Sequence, residues 1–377
     1  MLENVSEAEA LAAFWKIRKR ERCGIEFCPF GPCIKVGAGP DRRTTDYYMP
    51  RLHHHLRKMR RELNNGTYLV GPLRKKVIVD ILGKERQLGI AGVMDRVVYD
   101  IIFNRLSGLD HLLSPHAVAF RKGIAFRRVI DAIAIALEKA PFFLITDVRN
   151  YFPSISEEIL EKTLAGLPLG KVERAFLENF NHARPKKSDG LPQGIAISPA
   201  LANHAFTDHD NWLSGFGGGY LRYADDLFFC FPTEEGLSRM KTLLAGNRIG
   251  SFTIHEPETG KYPEQEPEFL GVILGAGGRR PGEKASRRLT ELVKKGDMWV
   301  AGWERHFSLQ AGVPPDILSA CLRRAREDIA RPGRPGRLAC IEAAAAGAID
   351  CTKPSPESGP RRMADGPPEA DAPPGAG

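Results

Sequence analysis

The chain is poor in cysteine, with seven in 377 residues. Their odd number and scattered positions exclude the dense disulfide framework of a small secreted domain and suit a reducing compartment. No apolar run approaches the roughly 20 residues that a membrane-crossing helix needs. The opening stretch, Met1-Leu-Glu-Asn-Val-Ser-Glu-Ala-Glu9, is acidic where a secretory or transit peptide would be basic. A soluble, cytoplasmic protein with no membrane contact is the expectation. Acidic residues are in deficit over the whole chain: 54 Lys and Arg face 46 Asp and Glu, a net charge of +8. That balance calls for an acidic partner, nucleic acid first and a membrane surface second. The length leaves room for two or three domains and a sizeable core.

One absence is local. Tyr220-Leu-Arg-Tyr-Ala-Asp-Asp-Leu-Phe-Phe-Cys-Phe231 predicts two strands joined by a tight reversal at Ala224-Asp225-Asp226. The reversal lacks the Asn or Gly that two-residue hairpin turns favour. Charge at a turn that breaks local rules points to function. Adjacent carboxylates repel, and a divalent cation is the simplest way to keep both ionised. A third carboxylate, Asp147, ends the apolar run Phe142-Phe-Leu-Ile-Thr-Asp147, which follows Pro141 and predicts a buried central strand. Three carboxylates at the ends of neighbouring strands can hold two Mg²⁺ ions. Such a pair serves phosphoryl transfer by activating a hydroxyl and stabilising a leaving pyrophosphate.

Tyr223-Ala-Asp-Asp226, Asp147 with Phe152 five residues on, and Leu191-Pro-Gln-Gly194 resemble the signature blocks of reverse transcriptases. Phe269-Leu-Gly271 resembles the family's primer-grip hairpin. The blocks stand in the family's order, and with weaker ones the resemblance covers residues 70 to 275. It implies an α+β right-hand polymerase fold. Fingers would occupy 71–140, and a palm of antiparallel sheet backed by helices 141–275, with a fingers insertion around 160–195. A helical thumb would occupy 279–350. A basic N-terminal extension (1–70) would precede these domains and a disordered tail (351–377) would follow them.

The resemblance also implies RNA-directed DNA synthesis, the addition of dNTPs to a primer 3′ end. Asp147, Asp225 and Asp226 would be the catalytic carboxylates and would ligate two Mg²⁺, with Mn²⁺ as a substitute and the Val148 backbone carbonyl as a further ligand. The second fingers block carries Arg121, Lys122, Arg127 and Arg128 around Gly123, a set that suits a nucleotide triphosphate. Phe152 would be a steric gate against a 2′-hydroxyl. Gln193 would sit beside the nascent base pair, and Gly194 would let the backbone approach it. Lys261 is the candidate general acid. Phe269, Leu270 and Gly271 would position the primer terminus. The implied partners are an RNA template, a DNA or RNA primer and dNTPs, with a dedicated non-coding RNA or an accessory protein as further candidates.

Elsewhere the pattern predicts a helix over 5–22 with Leu11, Phe14, Trp15 and Arg18 at helical spacing, and a basic helix over 53–62. Both can track a nucleic-acid backbone or simply be solvated faces. A hairpin is expected from 77–82 and 86–91, turning at Gly83-Lys84, then a helix N-capped by Asp95. Ser198 and Pro199 fit the N-cap and first position of another helix. His204 on that helix reads as packed or at a solvent edge. An amphipathic helix is expected over 234–247 and a short strand over 252–255. Residues 279–338 hold fourteen Lys or Arg against seven Asp or Glu, suited to gripping a duplex by its phosphates. Cys23, Cys28 and Cys33, with His53, His54 and His55, admit a zinc site or reduced structural cysteines.

Three signatures of particular reverse transcriptases are missing. There is no room after the palm for a group II intron maturase plus endonuclease, and no Val-Thr-Gly triplet as in retron enzymes. The Pro-Gln-Gly block is kept where diversity-generating elements carry a Ser-Gln pattern. The remainder resembles compact bacterial reverse transcriptases, many of them linked to phage defence, with a retroelement role as the other option. Two further readings stay open: a template-independent or protein-primed polymerase on the same scaffold, and a non-catalytic nucleic-acid-binding protein.

Overall fold

The computed structural model describes residues 4–22, 38–183, 190–295 and 297–330. Cys23, Cys28, Cys33 and the tail 351–377 lie outside the described residues.

The N-terminal helix runs Glu7–Arg22 and buries Ala10, Ala13, Phe14 and Ile17. Trp15, expected on that face, is 48% exposed, because the buried stripe runs through positions 10, 13, 14 and 17 and leaves position 15 to one side. Arg18 is buried, with its guanidinium 2.6 Å from Asp46. The basic helix runs Leu52–Asn64 and alternates buried Leu52, Leu56, Met59 and Leu63 with exposed Arg57, Lys58 and Arg61. The next helix, Val93–Leu106, is almost entirely core, and Gly92 is its N-cap. Asp95 does not cap it. Lying inside the first turn and buried, its carboxylate accepts from the Tyr68 hydroxyl at 2.8 Å and the Gly71 N–H at 3.3 Å.

Strands β1 (Arg74–Val79) and β2 (Glu85–Ile90) form an antiparallel hairpin. It starts earlier than the apolar residues suggest, and Asp80 ends the first strand. The Asp80 carboxylate accepts the N–H groups of Leu82 (2.9 Å) and Lys84 (3.0 Å), closing the turn from one side chain.

The central sheet joins β3 (Phe142–Asp147), β4 (Gly219–Tyr223), β5 (Asp226–Phe231) and β8 (Glu258–Lys261) in the order β4-β5-β3-β8, all antiparallel. Between them, β6 (Arg248–Ile249) and β7 (Phe252–Thr253) make a separate small hairpin. The aromatic run 227–231 is wholly buried, and each large apolar side chain so placed contributes about 1.5–3 kcal/mol. The helix Ile197–Ser214 backs the sheet with Leu201 and Phe206. Its N-cap is Ala196, so Ser198 lies inside the first turn, where its hydroxyl donates to the Pro192 carbonyl at 2.7 Å. A tertiary acceptor outcompetes the capping role. His204 is packed, and burial pushes its pKa down to about 4. The helix Glu234–Leu243 stops short of the expected 247.

Strands β9 (Glu268–Phe269), β10 (Val272–Gly275) and β11 (Gly278–Pro281) form a three-stranded sheet, followed by helices Glu283–Lys295, Asp297–Arg305 and Pro315–Ala330. Leu289, Val300, Trp303, Phe307 and Leu318 make their shared core. The result is a mixed α+β protein with an antiparallel palm sheet backed by helices, as expected. Among the described residues no helix is long and apolar enough to cross a membrane.

Candidate active site

The sheet register creates the site. Asp147, the last residue of β3, pairs directly with Asp226, the first of β5. Tyr223 pairs with Asp226 on the other side, leaving Ala224-Asp225 as the two-residue turn. Ala224 adopts φ +59°, a left-handed conformation that costs a non-glycine residue about 1–3 kcal/mol. Two bonds hold the turn: the Arg222 guanidinium donates to the Ala224 carbonyl at 2.8 Å, and the Val148 N–H donates to the Asp225 carbonyl at 2.8 Å.

The proton affinities of Asp225 and Asp226 are raised. Burial, then Asp225 and Asp147, push Asp226 up to about 7. Burial and Asp147 push Asp225 up as well, while Arg86 and Lys84 of the β1–β2 hairpin pull the other way. Lys284 is the cation acting on Asp226. Among the described residues no three His, Cys, Asp or Glu side chains are already gathered into a metal-holding group. The donor chemistry nevertheless fits a hard divalent cation: carboxylate oxygens on adjoining strand ends, crowded with like charge that such an ion would relieve. His255 joins this edge. Its N–H donates to the Asp147 carbonyl at 2.9 Å, and its Nε2 stands 3.6 Å from Asp147 Oδ2, with both side chains about half exposed.

The Pro-Gln-Gly loop is clamped on both sides. Gly190 (φ +54°) passes so close to the 152–153 backbone that a Cβ would lie 2.5 Å from the Phe152 carbonyl oxygen. The next residue, Leu191, donates its N–H to that same carbonyl at 2.8 Å. On the far side the Gln193 carbonyl accepts the Gly89 N–H from β2 at 2.7 Å. Gly194 has φ +98°, and a Cβ there would stand 3.0 Å from the Gly89 carbonyl. The loop therefore ties half-buried Phe152 to the β1–β2 hairpin.

The second fingers block divides. Arg121 donates to the carbonyls of Asp110, Ser114 and Ala117, each at 3.0 Å, so it fastens its own loop. Lys122, Arg127 and Arg128 are exposed. The Phe269-Leu-Gly271 segment turns at Leu270 (φ +54°) and Gly271 (φ +79°). Phe269 is buried against Phe228 at 5.6 Å between ring centroids. Phe228 shares a face of β5 with Asp226, two residues away, so this hairpin packs beneath the carboxylates.

Lys261 is not part of the site. It pairs with Phe142, at the opposite end of β3 from Asp147, about 17 Å along the strand at 3.3–3.4 Å per residue. Its ammonium binds Glu264 at 2.8 Å. Antiparallel pairing turned this lysine away. The residue of that segment that reaches the carboxylates is His255.

A family description, reverse transcriptase (RNA-dependent DNA polymerase), matches residues 73–274, more than half of the chain. The chain belongs to the reverse transcriptase family. Among curated relatives, it is 28% identical over 244 residues to the "Putative COX1/OXI3 intron 1 protein" of Saccharomyces cerevisiae, covering 59% of this chain and 29% of that one. It is 27% identical over 180 residues to Protein YkfC of Escherichia coli, covering 43% and 46%. The chain thus spans less than half the length of each of these two relatives. A similar solved structure is apo telomerase from Candida tropicalis, at 12% identity and a TM-score of 0.43, covering 70% of this chain and 57% of that one.

Two residues of this reverse transcriptase that matter to the site carried no sequence signal strong enough to single them out. Arg222 interrupts an otherwise apolar strand, and Asp210 sits in the middle of a helix; only the fold shows that they meet (2.8 Å) with both side chains fully buried.

Proposed function

We propose that the protein is an RNA-directed DNA polymerase that adds dNTPs to a primer 3′ end by two-metal phosphoryl transfer. The observation that carries this reading is the register that sets Asp147 against Asp226, with Asp225 in the adjoining turn. Asp147, Asp225 and Asp226 would hold Mg²⁺, or Mn²⁺ in its place, with the Val148 backbone carbonyl. When bound, the metals would supply Lewis-acid activation of the primer hydroxyl and charge neutralisation on the pyrophosphate.

The rest is done by the chain. Lys122, on the loop that Arg121 holds in shape, and Arg127, in the first turn of the helix Phe126–Lys139, are exposed cations available to the triphosphate. Phe152, its backbone pinned by Leu191, presents a ring to the sugar and disfavours a 2′-hydroxyl. Gln193 and Gly194 form the floor under the nascent pair, and Phe269, Leu270 and Gly271 seat the primer end. Residues 71–140 serve as fingers, 141–275 as palm and 279–350 as a basic thumb that grips the template–primer duplex. The biological setting we favour is cytoplasmic phage defence or a retroelement, with a dedicated RNA as template.

The test is primer extension on an RNA template with dNTPs and Mg²⁺, alongside sequencing of co-purifying nucleic acid. Complementary DNA from the wild type and none from Asp225→Asn, which still folds and binds nucleic acid, is the expected result. Retained incorporation by Asp225→Asn would sink the assignment. Product unrelated to any template, or attached to a tyrosine, would move the reading to an untemplated or protein-primed polymerase.

A further inference from the structure

Arg222 is one of the largest fully buried side chains among the described residues, and its counter-ion Asp210 is equally buried. Removing two charges from water costs several kcal/mol per ion unless geometry and hydrogen bonds compensate, and an apolar pair of similar volume would often serve stability as well. The ion pair therefore calls for a reason other than stability. Its hydrogen bonds supply one.

The guanidinium meets Asp210 in a two-bond fork, Nε to Oδ1 and Nη2 to Oδ2, both 2.8 Å. The Tyr220 hydroxyl also donates to Asp210, at 2.7 Å. This leaves Nη1 free to donate elsewhere, and its three acceptors belong to three different parts of the site. One is the Ala224 carbonyl (2.8 Å), inside the left-handed turn that carries Asp225. The second is the hydroxyl of Tyr151 (3.0 Å), the residue before Phe152. The third is Asn203 Oδ1 (3.1 Å), whose amide donates in turn to the Ala119 carbonyl (2.8 Å), at the head of the 119–125 loop that leads into the helix Phe126–Lys139. The Arg222 backbone pairs with the segment that leads into this loop. Its N–H donates to the His116 carbonyl (2.8 Å), and its carbonyl accepts from the Val118 N–H (3.0 Å).

We propose that Arg222, oriented by Asp210, is the positioning residue that sets the Asp225 turn, the Phe152 gate and the 119–125 loop against one another. It touches neither substrate nor metal. Its role is to make the three segments a single rigid unit, so that metal binding and sugar selection change together when it is disturbed. This rests on the polymerase reading for the sugar, but not for the metal.

The test uses the full chain with two variants. Arg222→Met/Asp210→Leu removes the ion pair without leaving a buried unpaired charge. Tyr151→Phe removes only the hydroxyl between Arg222 and the gate. Two readouts are taken: the Mg²⁺ concentration giving half the maximal thermal stabilisation, which needs no activity, and the ratio of kcat/KM for dNTP over rNTP. In the double variant we expect the Mg²⁺ requirement to rise and the ratio to fall, each by about tenfold, short of the roughly 10²-fold that a misplacement of about 1 Å can cost in rate. In Tyr151→Phe the ratio should fall while the melting temperature stays within a few degrees. Folded variants with unchanged Mg²⁺ requirement and unchanged sugar preference would overturn the proposal. If the double variant does not fold, Tyr151→Phe decides by its sugar ratio. A wild type that incorporates no nucleotide overturns the polymerase reading instead, and Arg222 is then judged on the Mg²⁺ shift alone.

Discussion

Gly89 of the β1–β2 hairpin donates its N–H to the carbonyl of Gln193 at 2.7 Å, which makes the Pro-Gln-Gly loop a bridge between hairpin and palm sheet. The contact depends on two glycines meeting back to back, because a Cβ on Gly194 would press on Gly89 at 3.0 Å and on Leu88 at 3.3 Å.

Gly194→Ala should therefore act on substrate binding more than on folding. The strained φ costs about 1–3 kcal/mol, and the bridge must open to relieve the contact. Steady-state kinetics should show KM for dNTP raised about tenfold, roughly 1.4 kcal/mol, with a modest drop in melting temperature. An unchanged KM would mean that the loop does not border the nucleotide.

The crowded carboxylates predict a stabilising metal. Thermal melts near pH 8 should rise with added Mg²⁺, return to the starting value with chelator, and lose this response in Asp225→Asn. A stabilisation that survives Asp225→Asn would place the ion elsewhere.

Lys261 and Asp147 lie at opposite ends of β3. Lys261→Ala should leave the single-turnover incorporation rate within about twofold of wild type, whereas loss of a general acid typically costs about 10²–10⁴-fold. A drop of that size would show that this segment rearranges around the substrate.

His204 provides a pH prediction. Burial holds its folded pKa near 4 against 6.5 for an ordinary imidazole. Below 6.5 the unfolded chain takes up a proton that the folded chain refuses, so this residue's contribution to stability is intact above 6.5 and is lost as pH falls toward 4. His204→Gln should flatten the melting-temperature profile across that interval. An equally steep profile in the variant would assign the slope to other groups.

The sequence reading went astray where a local rule met a distant partner. Asp95 and Ser198 both have the chemistry of helix caps. In the fold, Tyr68 and Gly71 claim the first and the Pro192 carbonyl claims the second. Trp15 has the spacing of a core residue, but Ala10, Ala13, Phe14 and Ile17 took the interior. Arg121 reads as a phosphate ligand, yet three carbonyls of its own loop were closer.

By itself the sequence determined the strands β3, β4 and β5 and the order of the family blocks, and it singled out the three carboxylates as candidates. Those signals are local: an apolar run, a hairpin without a turn residue, a short motif. The tertiary structure alone decided which residues face the carboxylates. Antiparallel register sends Lys261 to the far end of β3 and brings His255 to Asp147. The packing of the Ile197–Ser214 helix on β4 gives Arg222 its buried partner, Asp210. Register and helix docking are set by summed burial over many residues, so no short stretch of the chain records them.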